Sequence, residues 1–357
     1  MTDSNDNNLI ETNFQQHVEL LPRAFGGSLS TGILKQSVQD FIVNEQLSFE
    51  PSGEGEHAYL YIQKNDLNTE DVAKCLAKHA GVTRKSVSFA GMKDRRAVTQ
   101  QWFSVHLPGV SDPDWSLLNN EQIEIKKTTR HLRKLKRGAI KFNSFEIIIQ
   151  QLSADHQLIQ QRVADISQQG APNYFMAQRF GYKANNLSLA ERIFYKNHKI
   201  KDRNKKGILL SAVRSYLFNE VLAERVSKQS WNKAIEGDTF VLDGTRNFFA
   251  NETIDEEIIE RIKSMDIHPS GCLFGTGKPE VLGKALAIEQ TVLDNNQVFC
   301  DGLLKEKVAA SRRPLRMKVG NFKVSFIDDS SACFSFDLPS GSYATAVMRE
   351  LFETDQT

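Results

Sequence analysis

The chain has 357 residues, 40% hydrophobic and 25% charged, a composition that excludes wholesale disorder and collagen-like or mucin-like classes. At about 150 residues per domain the length predicts two domains. Lys and Arg (45) nearly balance Asp and Glu (44), so the net charge of +1 argues against a protein that coats nucleic acid indiscriminately, although local patches matter more than the total for steering.

The opening stretch Met1–Asn8 is polar and acidic, with no basic n-region and no apolar h-region, so no signal peptide is expected. No apolar run approaches the roughly 18 residues that span a bilayer, and we expect a cytoplasmic protein with no membrane partner. Residues 39–47 and 57–63 read as strands, separated by the turn signal Pro51-Ser52-Gly53. Asn68-Thr69 offers a helix cap, followed by Val72, Leu76 and His79 at helical spacing, with Gly81 as the stop. Residues 86–90 and 101–106 predict two further strands, joined by a loop from Gly91 to Gln100, and residues 144–150 predict another.

From about Asp155 the pattern changes. Residues 155–168, 187–197, 208–228, 252–264, 279–295 and 302–312 carry apolar residues at i, i+3 and i+4, which predicts amphipathic helices. Near Lys318 strand character returns: Phe322, Val324 and Phe326 face Ala332, Phe334 and Phe336 across the turn residues 328–331, as in a hairpin. A last helix follows Gly341-Ser342, carrying Val347 and Leu351. The predicted organisation is a sheet domain made of residues 1–167 and 318–357, interrupted by a mostly helical insertion at residues 168–317; the pattern also allows three consecutive units.

Four cysteines, Cys75, Cys272, Cys300 and Cys333, lie far apart with no CxxC pair, so neither a zinc knuckle nor a disulfide framework is suggested. No two histidines stand at HxxxH or HExxH spacing, and no metal site is expected. Phe274-Gly275-Thr276-Gly277-Lys278 imitates the end of a P-loop, but Cys272 and Pro279 stand where a glycine and a Ser/Thr are required. With no Rossmann-type glycine turn either, no nucleotide cofactor is expected.

Basic residues concentrate in two segments. Residues 126–141 hold Lys126, Lys127, Arg130, Arg133, Lys134, Lys136, Arg137 and Lys141 without an acid, and residues 196–206 hold Lys196, Lys199, Lys201, Arg203, Lys205 and Lys206 against Asp202 alone. Such segments can neutralise phosphates and release counterions; the blander reading is a pair of solvated loops. In the 91–100 loop, Asp94 is flanked by Lys93, Arg95 and Arg96, cations that favour a carboxylate ready to act as base or nucleophile beside an anionic substrate. Composition alone favours a turn aspartate, since charged turn residues are common and catalytic ones rare. Phe145, Tyr174 and Phe175 are ordinarily core residues; beside a basic cleft they would stack on an unstacked base.

The segment Phe89-Ala90-Gly91-Met92-Lys93-Asp94-Arg95-Arg96-Ala97-Val98-Thr99-Gln100-Gln101-Trp102 resembles the catalytic motif of the TruD family of tRNA pseudouridine synthases. Further similar motifs follow in order: Phe49 to His57, Gly170-Ala171-Pro172-Asn173-Tyr174-Phe175, Gln178-Arg179-Phe180-Gly181, and Leu338 to Thr345. The resemblance covers nearly the whole chain. It implies an α+β fold, with a mixed-sheet catalytic domain and a mostly helical inserted TRUD domain. It also implies Asp94 as the catalytic aspartate, Lys35 beside it, and Asn143 and Phe145 in the family's Asn-x-Phe segment, the aromatic stacking on the target uracil.

What the resemblance implies about activity is isomerisation of one uridine of a tRNA, at position 13 of the D arm and particularly in glutamate tRNA. No cofactor is required, because atoms and redox state are unchanged. The sequence leaves three routes open to Asp94: attack on C1′, addition to C6 of the uracil, or removal of the 2′ proton to give a glycal. Candidate RNA contacts are Lys93, Arg95, Arg96, Arg130, Arg133, Lys134, Lys136, Arg137, Arg203, Lys205 and Lys206, and a monomer is expected. The competing reading is a non-catalytic RNA-binding or RNA-chaperone protein that retains the fold.

Overall fold

The computed structural model describes residues 13–196, 198–250 and 253–356, so the acidic opening stretch lies outside the described residues. The chain divides into two compact units. Among the described residues no helix is long and apolar enough to cross a membrane.

One unit comprises Gly27–Gly170, Lys318–Ala344 and the chain from Met348 onward. Its frame is a ten-stranded sheet. The strands are β1 (Ser30–Leu34), β2 (Phe41–Leu47), β3 (His57–Asn65), β4 (Val87–Phe89), β5 (Val98–His106), β6 (Ile123–His131), β7 (Ile140–Gln150), β8 (Gly320–Asp328), β9 (Ser331–Pro339) and β10 (Phe352–Gln356). The order is β8-β9-β7-β2-β5-β3-β6, with β1 pairing β7 and β10, and β4 pairing β5. The sheet is mixed, because β2 runs parallel to β5 and β1 parallel to β10 while the other pairs are antiparallel.

Alternation along these strands builds the core. In β3 the residues Ala58, Leu60 and Ile62 are buried, and the helix Thr69–His79 closes over them with Val72, Ala73 and Leu76, joined by Phe103 and Val105 from β5. That helix stops where expected, since Gly81 takes the left-handed φ of +64° that a helix end favours. The hairpin expected near the C-terminus forms as β8 and β9, in the register Val324 opposite Phe334 and Phe326 opposite Ala332.

The other unit comprises the segment ending at Gly26, Ala171–Met317 and Thr345–Val347. Its spine is the helix Arg203–Ser227, which starts five residues before the apolar pattern because the Asp202 carboxylate caps the amides of Asn204 and Lys205 at 2.8 and 3.0 Å. The residues ending at Gly26, grouped with the sheet domain in the sequence reading, make their contacts here: the Phe14 ring meets Tyr216 and Phe299 at 5.4 and 5.8 Å.

For this unit one expectation needs an addition and another a correction. Alongside the helices, Phe248–Ala250, Thr239–Leu242, Ile267–Leu273 and Ser311–Pro314 form a four-stranded sheet whose runs carry no steady alternation. The helix expected at 302–312 is Gln297–Lys305 instead. Val308 and Ala310 continue its apolar spacing, but Lys307 turns left-handed (φ +52°) and their main chain pairs with Thr276.

Candidate active site

The strand registers align one row of side chains across six strands of the sheet: Ile123, Lys64, Thr99, Val43, Phe145 and Phe336. Residues directly paired across strands point to the same face, so this row is a continuous stripe. Glu45, Asn143 and Leu338 form the next row on that face, two residues along. The Phe145 ring, only 8% exposed, lies against Phe336 at 5.5 Å in a stacked arrangement and meets Phe41 edge-on at 6.1 Å.

The loop of residues 90–97 joins β4 to β5 and places Lys93 and Asp94 on or near these rows. Lys93 Nζ lies 2.7 Å from Glu45 Oε1 and donates to Asn143 Oδ1 at 2.8 Å. Its amide donates to Thr69 Oγ1 at 3.0 Å, and the Thr69 hydroxyl in turn donates to Gln101 Oε1 at 2.8 Å. Glu45 also accepts the Trp102 amide at 3.0 Å, so its buried carboxylate is held from two sides. Asp94 follows with its carboxylate half-exposed and receives Lys35 Nζ at 2.7 Å. Lys35 stands just after β1 with φ +61°, a conformation costing on the order of 1 kcal/mol for a residue with a side chain, and its ammonium sits 3.9 Å from the centre of the Phe41 ring.

Beneath Asp94 lies Lys64, which is fully buried and donates from Nζ to the main-chain oxygen of Asp94 at 2.8 Å. Burial pushes this lysine down to about 8; Asp94 and Asp66 oppose that shift, and Lys93 adds to it.

The assembly of the 90–97 loop over a mixed sheet coincides with a family. The family model described as tRNA pseudouridine synthase D (TruD) matches residues 27–202 and 187–351. The chain belongs to the TruD family. It is 47% identical over 335 residues to the tRNA pseudouridine synthase D of Methylococcus capsulatus, covering 94% of this chain and 95% of that one. To the enzyme of that name from Pseudomonas syringae pv. syringae it is 42% identical over 337 residues, covering 94% and 96%. A solved structure from Methanosarcina mazei, titled as a TruD protein, matches with a TM-score of 0.70 over 96% of this chain and 98% of that one; at 21% identity the likeness shows the fold.

In this TruD-family chain the structure brings Lys35, Lys93, Asp94, Asn143 and Phe145 together through the contacts above. The remaining predicted residues are distributed otherwise. Arg95 points its guanidinium toward Asp66 at 3.4 Å, and both Arg95 and Arg96 are exposed. Arg130 is held internally: it donates to the main-chain oxygens of Gly55, Leu107 and Val110 and pairs with Asp112 at 2.9 Å. Arg133, Lys134, Lys136 and Arg137 are exposed on the β6–β7 connection, whose main chain is pinned by the Tyr59 hydroxyl on the Arg133 oxygen and by buried Leu135. Gly55 lets that connection pass closely, because a Cβ there would meet the His131 main chain at 2.6 Å.

Arg203, Lys205 and Lys206 lie in the other unit, in the first turn of its long helix, where Lys206 pairs with Glu306. Tyr174 and Phe175 are buried there. The Tyr174 hydroxyl donates to Pro22, and the Phe175 ring lies under Arg313 at 4.0 Å.

Glu45, Lys64 and Thr69 were not read from the sequence. A signal existed for the first two: each continues the buried alternation of its strand, Glu45 after Phe41 and Val43, and Lys64 after Leu60 and Ile62. A charge on the apolar parity of a strand marks a side chain that must find a partner.

Proposed function

We propose that this isomerase of the TruD family converts a uridine of tRNA to pseudouridine, with Asp94 as the group that acts on the nucleotide. Membership of the family carries the reaction class. The observation that carries the assignment to Asp94 is its half-exposed carboxylate, paired with Lys35 at 2.7 Å beside a sheet face that bears Asn143 and Phe145. The reaction breaks the bond from N1 of uracil to C1′ and rejoins the ring through C5, so nothing is oxidised and no atom is lost. Asp94 would attack C1′, add to C6, or remove the 2′ proton to give a glycal; the last is the route we favour by analogy.

The target base must leave its stack, at a cost of a few kcal/mol. Contact with an aromatic surface returns about 1–3 kcal/mol per base, and Phe145 is the aromatic that the Asn-x-Phe segment offers. The exposed cations Arg133, Lys134, Lys136 and Arg137, with Arg203 and Lys205 at a helix N-terminus, suit phosphate contacts. Lys93 is better explained by its bonds to Glu45 and Asn143, and Arg130 by its carbonyl and Asp112 partners, than by RNA contact.

We assign the sheet unit as the catalytic domain and the unit built on Ala171–Met317 as the TRUD insertion. The substrate proposed is the uridine at position 13 of the D arm, as in glutamate tRNA, acted on by a cytoplasmic monomer without a nucleotide cofactor. An unmodified glutamate tRNA transcript tests this when compared with a transcript carrying cytidine at that position. The expected result is pseudouridine in the first and none in the second. Modification at another uridine in both would refute the site assignment.

A further inference from the structure

Lys64 is the one charged member of the cross-strand row, and its position is costly. An ammonium taken wholly out of water loses its hydration, and a methionine would fill the same space without that loss. Among the described residues its ammonium makes one hydrogen bond, to the main-chain oxygen of Asp94 at 2.8 Å. Lys64 stands near the end of β3, between β5 and β6 and paired with Thr99 and Ile123, so its main chain has a strand neighbour on both sides. The loop it holds is otherwise tied through Lys93, whose amide is bound by Thr69 and whose ammonium is bound by Glu45 and Asn143.

We propose that Lys64 is a positioning residue for Asp94: from the end of a strand paired on both sides, its buried ammonium grips the Asp94 carbonyl and so holds the carboxylate of the same residue toward Lys35 and the substrate. The proposal rests on the reading of Asp94 as the acting group.

The charged groups facing Lys64 are Asp94 and Lys93 from the loop and Asp66 just beyond the end of its own strand, while its cross-strand neighbours carry no charge. With burial bringing its proton affinity down to about 8, the ammonium becomes neutral at alkaline pH and the grip weakens. The effect on stability has the opposite sign. The unfolded lysine keeps its proton up to about 10.5, so between about 8 and 10.5 the unfolded chain binds more protons and this group makes folding more favourable as pH rises. A loss of rate near pH 8 caused by Lys64 is therefore not accompanied by a loss of stability on its account, whereas alkaline unfolding lowers both.

Single-turnover pseudouridine formation at saturating tRNA, followed from about pH 7 to about pH 9.5 alongside the thermal midpoint, tests the proposal in the wild type, Lys64→Met and Asp94→Asn. We expect the wild-type rate to fall with a midpoint near 8 while the fold persists. Lys64→Met should be about 10- to 100-fold slower at neutral pH, with tRNA affinity within about twofold and no alkaline fall. A Lys64→Met enzyme as fast as the wild type and with the same pH profile overturns the proposal while leaving Asp94 in its role. If Lys64→Met does not fold, Lys64→Gln takes its place: a folded variant as fast as the wild type overturns the proposal, and one slowed about 10- to 100-fold with tRNA affinity retained supports it. Turnover by Asp94→Asn at the wild-type rate overturns the reading of the site, and the proposal with it.

Discussion

The cluster of Lys35, Lys64 and Lys93 around Asp94 and the β6–β7 connection are both rich in cations and use them in opposite ways. In the first, Lys93 and its neighbours Lys35 and Lys64 each point at a defined oxygen within 2.8 Å, and their side chains are largely or wholly out of water. In the second, Arg133, Lys134, Lys136 and Arg137 extend into solvent while the main chain beneath them is pinned. Desolvated, paired charges resist reorientation and serve geometry; solvated charges keep their counterions to exchange for phosphates. A nearly neutral chain can thus still offer phosphates a local cluster of solvated cations with no acid among them.

Four variants separate these two uses. The largest effect on stability is expected at Glu45, where Glu45→Ala leaves the Lys93 ammonium without its buried counter-charge. Losing one partner of such a pair costs about 3–5 kcal/mol, readable as a lower denaturant midpoint. An unchanged midpoint would place Lys93 among the solvated cations. Lys35→Met should leave the fold intact and lower turnover about 10- to 100-fold, in line with the loss of a hydrogen bond between charged groups.

On the β6–β7 connection, replacing Arg133, Lys134, Lys136 and Arg137 by Gln should weaken tRNA binding and flatten its dependence on salt. Each lost phosphate contact removes about 0.7 to 0.9 from the slope of log affinity against log salt, while the thermal midpoint barely moves. Arg130→Gln should do the reverse and lower stability with little change in the salt slope.

The smallest effect is expected between the extremes, at the half-exposed pair of His17 and Glu220, 2.6 Å apart. The hydrogen bond that His17 donates to the Glu220 carboxylate raises the His17 proton affinity above its ordinary value of 6.5, against some opposition from burial. The pair's contribution is therefore full below about pH 6.5 and fades as pH rises through the raised value. His17→Gln should cost under about 1 kcal/mol at pH 6 and less at pH 9, measured by urea unfolding.

Much of this arrangement was legible in the sequence. Alternation revealed β2, β3 and the β8–β9 hairpin, and the motif around Asp94 pointed to the family to which the chain belongs. What stayed hidden has physical causes. The pairing of β2 with β7, which brings Glu45 opposite Asn143, joins residues far apart in the chain, and no local pattern encodes that register. Ile123–His131 is a strand although its basic side chains read as a loop, because one face is solvated and pairing with β3 supplies the stability. Arg130 looked the same as Arg133 in the sequence; only the carbonyls of Gly55, Leu107 and Val110 distinguish a structural guanidinium from an exposed one.

The central claim is that Asp94 performs the isomerisation. Unmodified total tRNA, incubated with the wild type or with Asp94→Asn and mapped for pseudouridine at nucleotide resolution, tests it most directly. The account predicts a new pseudouridine with the wild type and a rate lower by about 10²–10⁴-fold or more with Asp94→Asn, whose fold and tRNA affinity are retained. Equal modification by both proteins, or no new site with the wild type, would contradict it.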